Sequence, residues 1–252
     1  MKIDRLAEIE RYVTANKTVT LDKLCEVFNI SKNTVRRDIN DLVKNGSVKK
    51  VYGGVTAVKK TLIPYEERDI KNKTEKLAIA QAAAGLVQDG DVIYIDSGTT
   101  APNMVKYLKC KNVTILTESL NTVLNALPFN ELKVILLGGN LIRETNSFRT
   151  MNTDTIKTFN ISKAFMATTG FSVSNGITNS SPLEYEIKSE IVRKSDKIYL
   201  LADHTKFGVS SLMTYCQLSD IDCLVTDRTP SSELLGFFHT NRIECITAGE
   251  TQ

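Results

Sequence analysis

The sequence lacks any apolar run long enough to cross a membrane. No stretch of its 252 residues approaches the roughly 20 consecutive apolar residues that a spanning helix needs. Its first twelve residues, MKIDRLAEIERY, carry charge in every turn and lack the apolar core of a secretory signal. We therefore expect a soluble, cytoplasmic chain with no membrane partner.

The cysteines lack the spacing of a disulfide framework or of a metal site. They are odd in number, scattered and never arranged as C-x-x-C, which argues against both kinds of site. We expect reduced thiols, no metal and no cofactor. The five are Cys25, Cys110, Cys216, Cys223 and Cys245.

Length and charge predict two domains with different partners. The chain exceeds the usual domain size of about 100 to 200 residues, and its composition, 42% hydrophobic and 24% charged, is that of a globular protein. Residues 1–60 hold 13 Lys+Arg against 7 Asp+Glu, whereas the remainder holds 19 against 22. Because basic surfaces bind phosphates with release of counterions, the N-terminal end is expected to bind a polyanion.

Apolar residues at helical spacing predict three short helices in the first 46 residues. The first spans about residues 3–15, on the stripe Leu6, Ile9 and Val13. Thr20 is a predicted N-cap for the second, and Ser31 for the third, which Gly46 ends. The stripe of the second helix is Leu21, Leu24, Cys25 and Phe28, and that of the third is Val35, Ile39, Leu42 and Val43.

The third helix carries residue types that read DNA grooves. Its apolar stripe leaves polar side chains on the other faces, where Arg can pair with guanine and Asn with adenine. Asp38 and Asp41 are expected to orient arginines or to cap local structure. A helical domain that binds protein stays open as the alternative. The polar positions are Lys32, Asn33, Thr34, Arg36, Arg37 and Asn40.

The segment VKKVYGGVTAV predicts a β-hairpin after the third helix. Strand-favouring residues flank Gly53 and Gly54, which suit a tight turn. Such a hairpin is a wing, and it carries Lys49, Lys50 and Tyr52 toward the DNA backbone or minor groove.

A linker and a domain boundary are predicted near residue 60. Pro64 lies within the segment 59–68, which we expect to be extended. One helix is then predicted from Glu67 to Val87. The expected organisation is a winged helix-turn-helix domain at 1–58, a linker and helix start at 59–74, and an α/β domain at 75–252.

Short β-branched runs alternate with helical patterns through the rest of the chain. Continuous apolar runs in this arrangement predict a parallel sheet covered by helices on both faces, and hence an α/β fold. Ligands of such folds bind beyond the carboxyl ends of the strands. The predicted strands are residues 92–95, 113–116, 133–137, 163–168, 197–201, 222–226 and 243–247.

Two loops at predicted strand ends suit a phosphate. The loop DSGTTA places Ser97, Gly98, Thr99 and Thr100 between a strand and a helix, where hydroxyls and backbone N–H groups are available. A purely structural turn is an equally good interpretation of this motif alone. The loop ADHTKFG adds Asp203, His204 and Lys206. We expect His204 to be a hydrogen-bonded turn residue.

The run SKNTVRRDINDLVKNGSVKKVYGGV resembles the helix-turn-helix and wing of the DeoR family of bacterial regulators. The resemblance implies a recognition helix that begins at Ser31. By this resemblance the contacts to operator DNA are Ser31, Lys32, Asn33, Thr34, Arg36 and Arg37 from that helix and Lys49, Lys50 and Tyr52 from the wing. We add Thr20, at the start of the second helix, to the DNA-binding set.

The segments DSGTT, LLGGNLIRETNSF and LLADHTKFG are similar to the sensor domain of the same family, whose fold is similar to that of sugar-phosphate isomerases. The likeness therefore covers nearly the whole chain, and it implies a phosphorylated sugar-like effector. The implied contacts are Asp96, Ser97, Gly98, Thr99, Thr100, Gly139, Arg143, Gly170, Glu184, Asp203 and Lys206.

One segment departs from the family pattern. Where family members carry Ser-Phe-Val-Gly, this chain has Ser147-Phe148-Arg149-Thr150. Arg149 is a candidate contact to a carboxylate of the effector, and an exposed arginine without a ligand is the alternative.

These features predict a homo-oligomeric, non-enzymatic transcription regulator, because repressors that read repeated half-sites are usually symmetric. The segments FNISKNTVRRDIN, LEYEIK and YLLADHTKFG are most similar to family members that repress inositol-catabolism operons. This implies a carbohydrate operon, with inositol as the candidate, and release by a phosphorylated deoxyhexonate. The alternative is a sugar-phosphate isomerase with an accessory nucleic-acid domain, for which Asp203, His204 and Glu184 are the available acid and base groups.

Overall fold

Two structural units divide the chain. The structure, a computed structural model, describes residues 5–6, 8–9, 12–13, 16, 18–44, 48–57, 64–108, 112–149 and 153–249. The units are Met1–Leu62 and Ile63–Gln252, and each has its own buried apolar residues. No helix in the described ranges is long and apolar enough to cross a lipid bilayer.

The N-terminal unit contains the three helices and the hairpin that the sequence predicts. Every described position from Arg5 to Val13 is helical, as is Asn16. The following elements are β1 (Thr18–Val19), α1 (Leu21–Phe28), α2 (Lys32–Lys44), β2 (Val48–Val51) and β3 (Gly54–Ala57).

Both predicted N-caps are confirmed. The Thr20 hydroxyl accepts a hydrogen bond from the Lys23 amide at 3.1 Å, and the Ser31 hydroxyl accepts one from the Thr34 amide at 3.2 Å. Asn29 ends α1 in the left-handed conformation, with φ of 49°. Gly46, the predicted end of the third helix, lies outside the described residues.

A third strand joins the wing. The sheet is antiparallel in the order β1-β3-β2, with Val19 opposite Val55. The sequence does not predict β1, because a two-residue strand shows no periodicity. The three predicted helical stripes meet in one core, which includes Ile9, Leu24 and Val35, each fully buried.

The segment after the wing is more helical than predicted. Pro64 precedes α3 (Tyr65–Ile70), so the extended conformation predicted for 59–68 is wrong from Tyr65 onward. Residues 58–63 lie outside the described ranges. Two acidic residues, Glu66 and Glu67, occupy the first turn of α3, where the helix dipole favours negative charge.

The single helix predicted from Glu67 to Val87 is also wrong, because the chain breaks between α3 and α4 (Lys73–Gly85). Lys71 is extended, and Asn72 adopts the left-handed conformation with φ of 52°. Asn tolerates this conformation better than most residues, so the chain can bend sharply between α3 and α4. The periodicity of apolar residues does not reveal this bend.

All seven predicted strands of the C-terminal unit form one parallel sheet, so the predicted α/β class is confirmed. The order is β15-β14-β12-β9-β4-β5-β6. The strands of this unit are β4 (Val92–Ile95), β5 (Thr114–Thr117), β6 (Lys133–Leu136), β7 (Asn140–Ile142), β8 (Ser147–Arg149), β9 (Ile161–Ala167), β10 (Gly170–Ser172), β11 (Gly176–Asn179), β12 (Ser195–Leu201), β13 (Met213–Cys216), β14 (Cys223–Thr226) and β15 (Glu244–Thr247).

Helices cover both faces of this sheet. They include α5 (Leu120–Ala126), α6 (Pro182–Lys194) and α7 (Ser232–Asn241). Apolar residues of α4, α5 and the 3₁₀ segment Ala101–Tyr107 pack on one face, and those of α6 and α7 pack on the other. We call these the α4 face and the α6 face.

Strand order reverses between β4 and β9. The chain runs outward from β4 through β5 to β6, and then returns to place β9 on the other side of β4. In open α/β sheets such a switch point opens a crevice at the carboxyl ends of the two strands. Asp96 and Thr168 follow β4 and β9 directly, so both lie at this crevice.

Two antiparallel pieces are not predicted by the sequence. One is the hairpin β7-β8, and the other is the small sheet β10-β11-β13. Three-residue strands such as β7, β8 and β10 are too short for a clear alternation of apolar and polar residues.

Candidate nucleic-acid interface and effector site

The polar face of α2 is open to solvent, as its apolar stripe requires. Lys32, Asn33, Arg36, Arg37 and Asn40 are exposed, while Thr34 is half-buried against the cap. On the inner side of the same helix, Val35, Ile39 and Leu42 are buried. The arginines therefore project from a helix that is anchored to the core of its own unit.

Lys32 has a competing partner on α1. Its ammonium lies 2.6 Å from an oxygen of Asp22, in an exposed ion pair. Exposed pairs of this kind contribute about 0 to 1 kcal/mol. A DNA phosphate can therefore replace Asp22 as the partner of Lys32 at little cost.

The wing presents a fully exposed aromatic ring. Tyr52 occupies the turn between β2 and β3 beside Gly53, whose φ of 82° explains the need for glycine. Lys49 and Lys50 are exposed on β2. A cleft of about 470 Å³ lies between α1, α2 and the wing, and Lys32, Arg36 and Lys50 are among its lining residues.

Asp38 faces the core of the N-terminal unit. It is fully buried and accepts hydrogen bonds from the Arg5 guanidinium at 2.8 and 3.2 Å. The expectation that Asp38 orients an arginine is confirmed, although the partner lies in the first helix and was not predicted.

In the C-terminal unit, Asp96 lies at the switch point and accepts hydrogen bonds from the elements around it. One carboxylate oxygen accepts hydrogen bonds from the Ala167 amide and from the Lys188 ammonium, each at 2.7 Å. The other accepts one from the Ser97 amide at 2.7 Å. Asp96 therefore ties β4, β9 and α6 together at the carboxyl end of the sheet.

Lys188 is a candidate site residue that the sequence motifs do not indicate. It is buried, and besides Asp96 it donates to the Ala167 carbonyl at 2.9 Å. Burial alone lowers the pKa of a lysine, but Asp96 and Glu184 outweigh burial and raise the pKa of Lys188. The sequence feature that could have indicated it is a lysine among the apolar residues of α6, directly after Ile187.

Glu118 is the second missed residue. It follows β5, is 2% exposed, and accepts a hydrogen bond from the Ser97 hydroxyl at 2.9 Å. Burial, followed by the charges of Asp96 and Glu184, raises the pKa of Glu118 to about 8. A carboxylate directly after a buried strand was the signal that could have indicated it.

The loop Ser97–Thr100 leads from this cluster into the 3₁₀ segment on the α4 face. Within the described residues, the backbone N–H groups of Gly98, Thr99 and Thr100 donate to no protein acceptor. Three free donors in one tight loop form a site that suits an anion.

Glycine is required at position 98 by close approach to β9. A Cβ atom built at Gly98 would lie 2.5 Å from the Ala167 Cβ. We expect Gly98→Ala to destabilise the C-terminal unit by about 1 to 3 kcal/mol, because the loop must move away from β9. Thermal unfolding measures this.

The control for that substitution is Gly236→Ala within α7, where nothing lies within 4 Å of the added Cβ. It is expected to stabilise the unit by about 0.5 to 1 kcal/mol, because alanine favours helix interiors. Equal melting temperatures for Gly98→Ala and the unmodified chain would contradict the close approach.

A second polar cluster forms where β12 ends. Asp203 is buried and accepts hydrogen bonds from the Thr205 hydroxyl, from the Thr205 amide at 3.0 Å and from the Asn72 side chain at 3.2 Å. Burial opposes ionisation of Asp203, but the Thr205 hydrogen bonds and the Lys206 cation lower its pKa overall.

Two lysines accompany Asp203. Lys76, on α4, is buried and donates to the Arg68 carbonyl, and burial lowers its pKa to about 8. Burial also lowers the pKa of Lys206, whose ammonium forms no hydrogen bond or ion pair with the described residues. Lys76 was not predicted as a site residue. An anion bound beside both lysines would restore their preference for the charged form.

His204 is a hydrogen-bonded turn residue, as expected. Its backbone N–H donates to Asp227 at 2.7 Å, and its Nδ1 lies 2.6 Å from the other oxygen of the same carboxylate. His204 therefore has Asp227 as a structural partner.

The remaining predicted effector residues lie around the crevice at different depths. Glu184 is half-buried with an oxygen 4.0 Å from the Lys188 ammonium, and Gly170 packs against Val209. Gly139, Arg143 and Arg149 are exposed on or beside the hairpin β7-β8, where the structure does not place them in the Asp96 cluster. Thr150 lies outside the described residues.

The chain matches two family models that together cover most of its length. Residues 5–61 match the DeoR-like helix-turn-helix domain, and residues 71–228 match the DeoR C terminal sensor domain. The chain belongs to the DeoR family of transcription repressors. This confirms the resemblance drawn from the sequence motifs.

Full-length relatives support the same assignment. The chain is 45% identical to the HTH-type transcriptional regulator IolR of Bacillus subtilis, over 96% of this chain and 98% of the relative. It is 32% identical to the regulator GolR of Listeria innocua and 26% identical to the repressor GlcR of Bacillus subtilis, with at least 89% of each chain covered. These relatives are named as regulators, and they support a DNA-binding, non-enzymatic role.

The chain is also partly similar to solved structures. Ribose 5-phosphate isomerase A of Methanocaldococcus jannaschii aligns over 54% of this chain and 55% of its own, with 17% identity and a TM-score of 0.41. At this level the likeness carries nothing about activity or ligand.

Proposed function

We propose that this DeoR-family protein represses a carbohydrate catabolic operon, with inositol as the candidate carbohydrate, and leaves its operator when a phosphorylated sugar or sugar acid binds the C-terminal unit. The protein acts in the cytoplasm as a homo-oligomer that reads repeated half-sites. The isomerase alternative is not favoured, because the relatives are named regulators.

The DNA-binding half of this proposal rests on the exposed polar face of α2 and on the basic wing. Arg36 and Arg37 are free to pair with guanine, while Lys49, Lys50 and Tyr52 are free to reach the backbone or the minor groove. Thr20, Ser31, Lys32, Asn33 and Thr34 lie at the starts of α1 and α2, where backbone donors suit a phosphate.

The effector half rests on one observation at the carboxyl end of the sheet. There, the half-buried Lys206 and three backbone donors have no hydrogen-bond partner among the described residues. Lys206 follows β12, and the loop Gly98–Thr100 follows β4, with only β9 between the two strands. Alternation of side chains along β12 places Asp203 on the α4 face. The 3₁₀ segment after the loop packs on the same face. A phosphate that bridges the loop and Lys206 would satisfy both.

The ligand class is tested by thermal shift with the full chain. We expect 6-phosphogluconate, glucose 6-phosphate and a phosphorylated deoxyhexonate to raise Tm, and inositol and glucose to have no effect, because a ligand of the native state stabilises it. Compounds that raise Tm should also release the chain from its upstream DNA in a gel-shift assay. Stabilisation by unphosphorylated sugars to the same extent would contradict the proposal.

Lys206→Ala tests the phosphate contact. Loss of a charge-assisted hydrogen bond costs about 1.5 to 3 kcal/mol, so Kd for the bound phosphates should rise about tenfold or more. The matched control is Lys197→Ala, an exposed lysine near the other end of β12. Equal losses in the two variants, measured by calorimetric titration, would show that Lys206 contributes only net charge.

A further inference from the structure

A buried polar corner lies on the α6 face of the crevice and is not used by the phosphate contacts. It consists of Asp96, Glu118, Glu184 and Lys188, with the Tyr94 hydroxyl beside them. Three carboxyl groups share one ammonium group, and that ammonium is closest to Asp96, at 2.7 Å. Among the described residues, Glu118 therefore has no cation of its own.

An unsatisfied hydroxyl points into this corner. Tyr94 is fully buried, and its hydroxyl has no hydrogen-bond partner among the described residues. Burial and then the charges of Glu118, Asp96 and Glu184 raise its pKa, so these carboxyl groups lie around the hydroxyl. Asn179, which donates to Glu184 at 3.4 Å, has a buried amide oxygen that is also unpaired. Buried polar atoms without partners indicate a place for a polar ligand or water.

The surroundings of Glu118 favour its neutral form. Asp96 faces it from the end of β4, and Glu184 and Lys188 face it from α6. The described residues of α5 carry no charge, and the charged residues of the hairpin, Arg143, Glu144 and Arg149, are exposed. Burial and two like charges outweigh the shared lysine and the Ser97 hydrogen bond, so Glu118 holds its proton near neutral pH.

We propose that Glu118 determines specificity for the end of the effector remote from its phosphate, by donating a hydrogen bond as a neutral carboxylic acid to an acceptor oxygen of that end. This inference rests on the proposed function, because it requires a ligand anchored by its phosphate at the loop 97–100. Ser97 connects the two places, since it opens that loop and donates its hydroxyl to Glu118.

The acceptor oxygen can belong to a hydroxyl or a carboxylate group. The third N–H of Lys188, beyond those donated to Asp96 and Ala167, offers a second donor in the same corner. Ionisation of Glu118 removes its donor and places a negative charge against a ligand carboxylate, whereas a ligand hydroxyl can instead donate to the ionised form. Binding of a ligand that ends in a carboxylate is therefore expected to weaken as Glu118 loses its proton.

The test is calorimetric titration of the full-length chain and of Glu118→Gln at several pH values from 7.5 to 9.5. Glutamine keeps a side-chain donor and cannot ionise in this range. The probes are 6-phosphogluconate, which ends in a carboxylate, sorbitol 6-phosphate, which ends in a hydroxyl, and inorganic phosphate, which lacks the remote end.

Inorganic phosphate serves as the reference because Lys76 titrates in the same pH range, with a pKa of about 8. The measured quantity is the affinity of each six-carbon phosphate relative to inorganic phosphate. With the pKa of Glu118 at about 8, the relative affinity of 6-phosphogluconate should fall about 25-fold from pH 7.5 to 9.5 in the unmodified chain. In Glu118→Gln it should stay constant.

Each outcome separates this inference from the proposed function. The same pH dependence in Glu118→Gln, or loss of the relative affinity at every pH, would overturn the role of Glu118 as a neutral donor while leaving the phosphate site in place. The inference also fails if neither six-carbon probe binds more tightly than inorganic phosphate. If inorganic phosphate and both probes fail to bind, the result contradicts the phosphate site of the proposed function itself.

A thermal melt of Glu118→Gln at pH 7.5 shows whether the variant folds. The pH profile of the unmodified chain tests the inference without any substitution, since a flat relative affinity of 6-phosphogluconate up to pH 9.5 would contradict it.

Discussion

Replacement of both Arg36 and Arg37 by alanine is expected to abolish specific binding of the chain to its own upstream DNA. Both side chains are exposed on α2, and within the described ranges neither forms an ion pair. Each bidentate arginine–guanine contact contributes about 1 to 3 kcal/mol. Loss of two should raise Kd by at least about 30-fold. Fluorescence anisotropy at fixed salt measures the change.

The control for this prediction is the pair Arg193→Ala and Arg228→Ala. Both arginines are exposed in the C-terminal unit, and their loss changes net charge by the same amount. Binding to a duplex of unrelated sequence, measured at low salt, separates specific contacts from general charge attraction. Retention of sequence-specific binding by the Arg36 and Arg37 variant would mean that α2 does not read the operator.

Lys188→Met is expected to destabilise the C-terminal unit strongly. The side chains of Lys188 and Asp96 are 4% and 0% exposed, and removal of one member leaves the other charge buried without a partner. Broken pairs of this kind cost about 3 to 5 kcal/mol, which lowers Tm by roughly 6 to 20 °C. Calorimetry of the unfolding transition measures the effect.

The same substitution at an exposed pair provides the comparison. Lys157 lies 2.7 Å from Asp154 with 55% of its side chain exposed, so Lys157→Met is expected to cost no more than about 1 kcal/mol. Asp96→Asn added to Lys188→Met should restore part of the lost stability, because it removes the uncompensated charge. A Lys188→Met variant as stable as Lys157→Met would contradict the importance of the buried Lys188–Asp96 pair for stability.

Much of the fold was predictable because it depends on local pattern. The stripes of α1 and α2, the caps at Thr20 and Ser31, and the seven parallel strands all follow from periodicity, and the structure confirms them. The bend at Asn72 and the strand β1 did not follow, because one left-handed residue or a two-residue strand leaves no period to detect.

The candidate site was predicted less completely than the fold. The loop residues Asp96, Ser97 and Asp203 belong to motifs at strand ends, so they were found. Glu118 and Lys188 were not found, because their importance comes from partners 21 and 92 residues away in the chain. Arg149 was expected near a ligand carboxylate, and the structure leaves it exposed on β8. That contact stays a prediction.

The sequence by itself determined the order of helices and strands, the basic N-terminal end and the DeoR-family motifs, since each of these depends on residues that are close together in the chain. Only the tertiary structure decided which charges meet at the switch point. The reversal of strand order brings β4, β9 and α6 together. Burial and the neighbouring carboxyl groups there raise the pKa of Glu118, and those carboxyl groups outweigh burial and raise the pKa of Lys188.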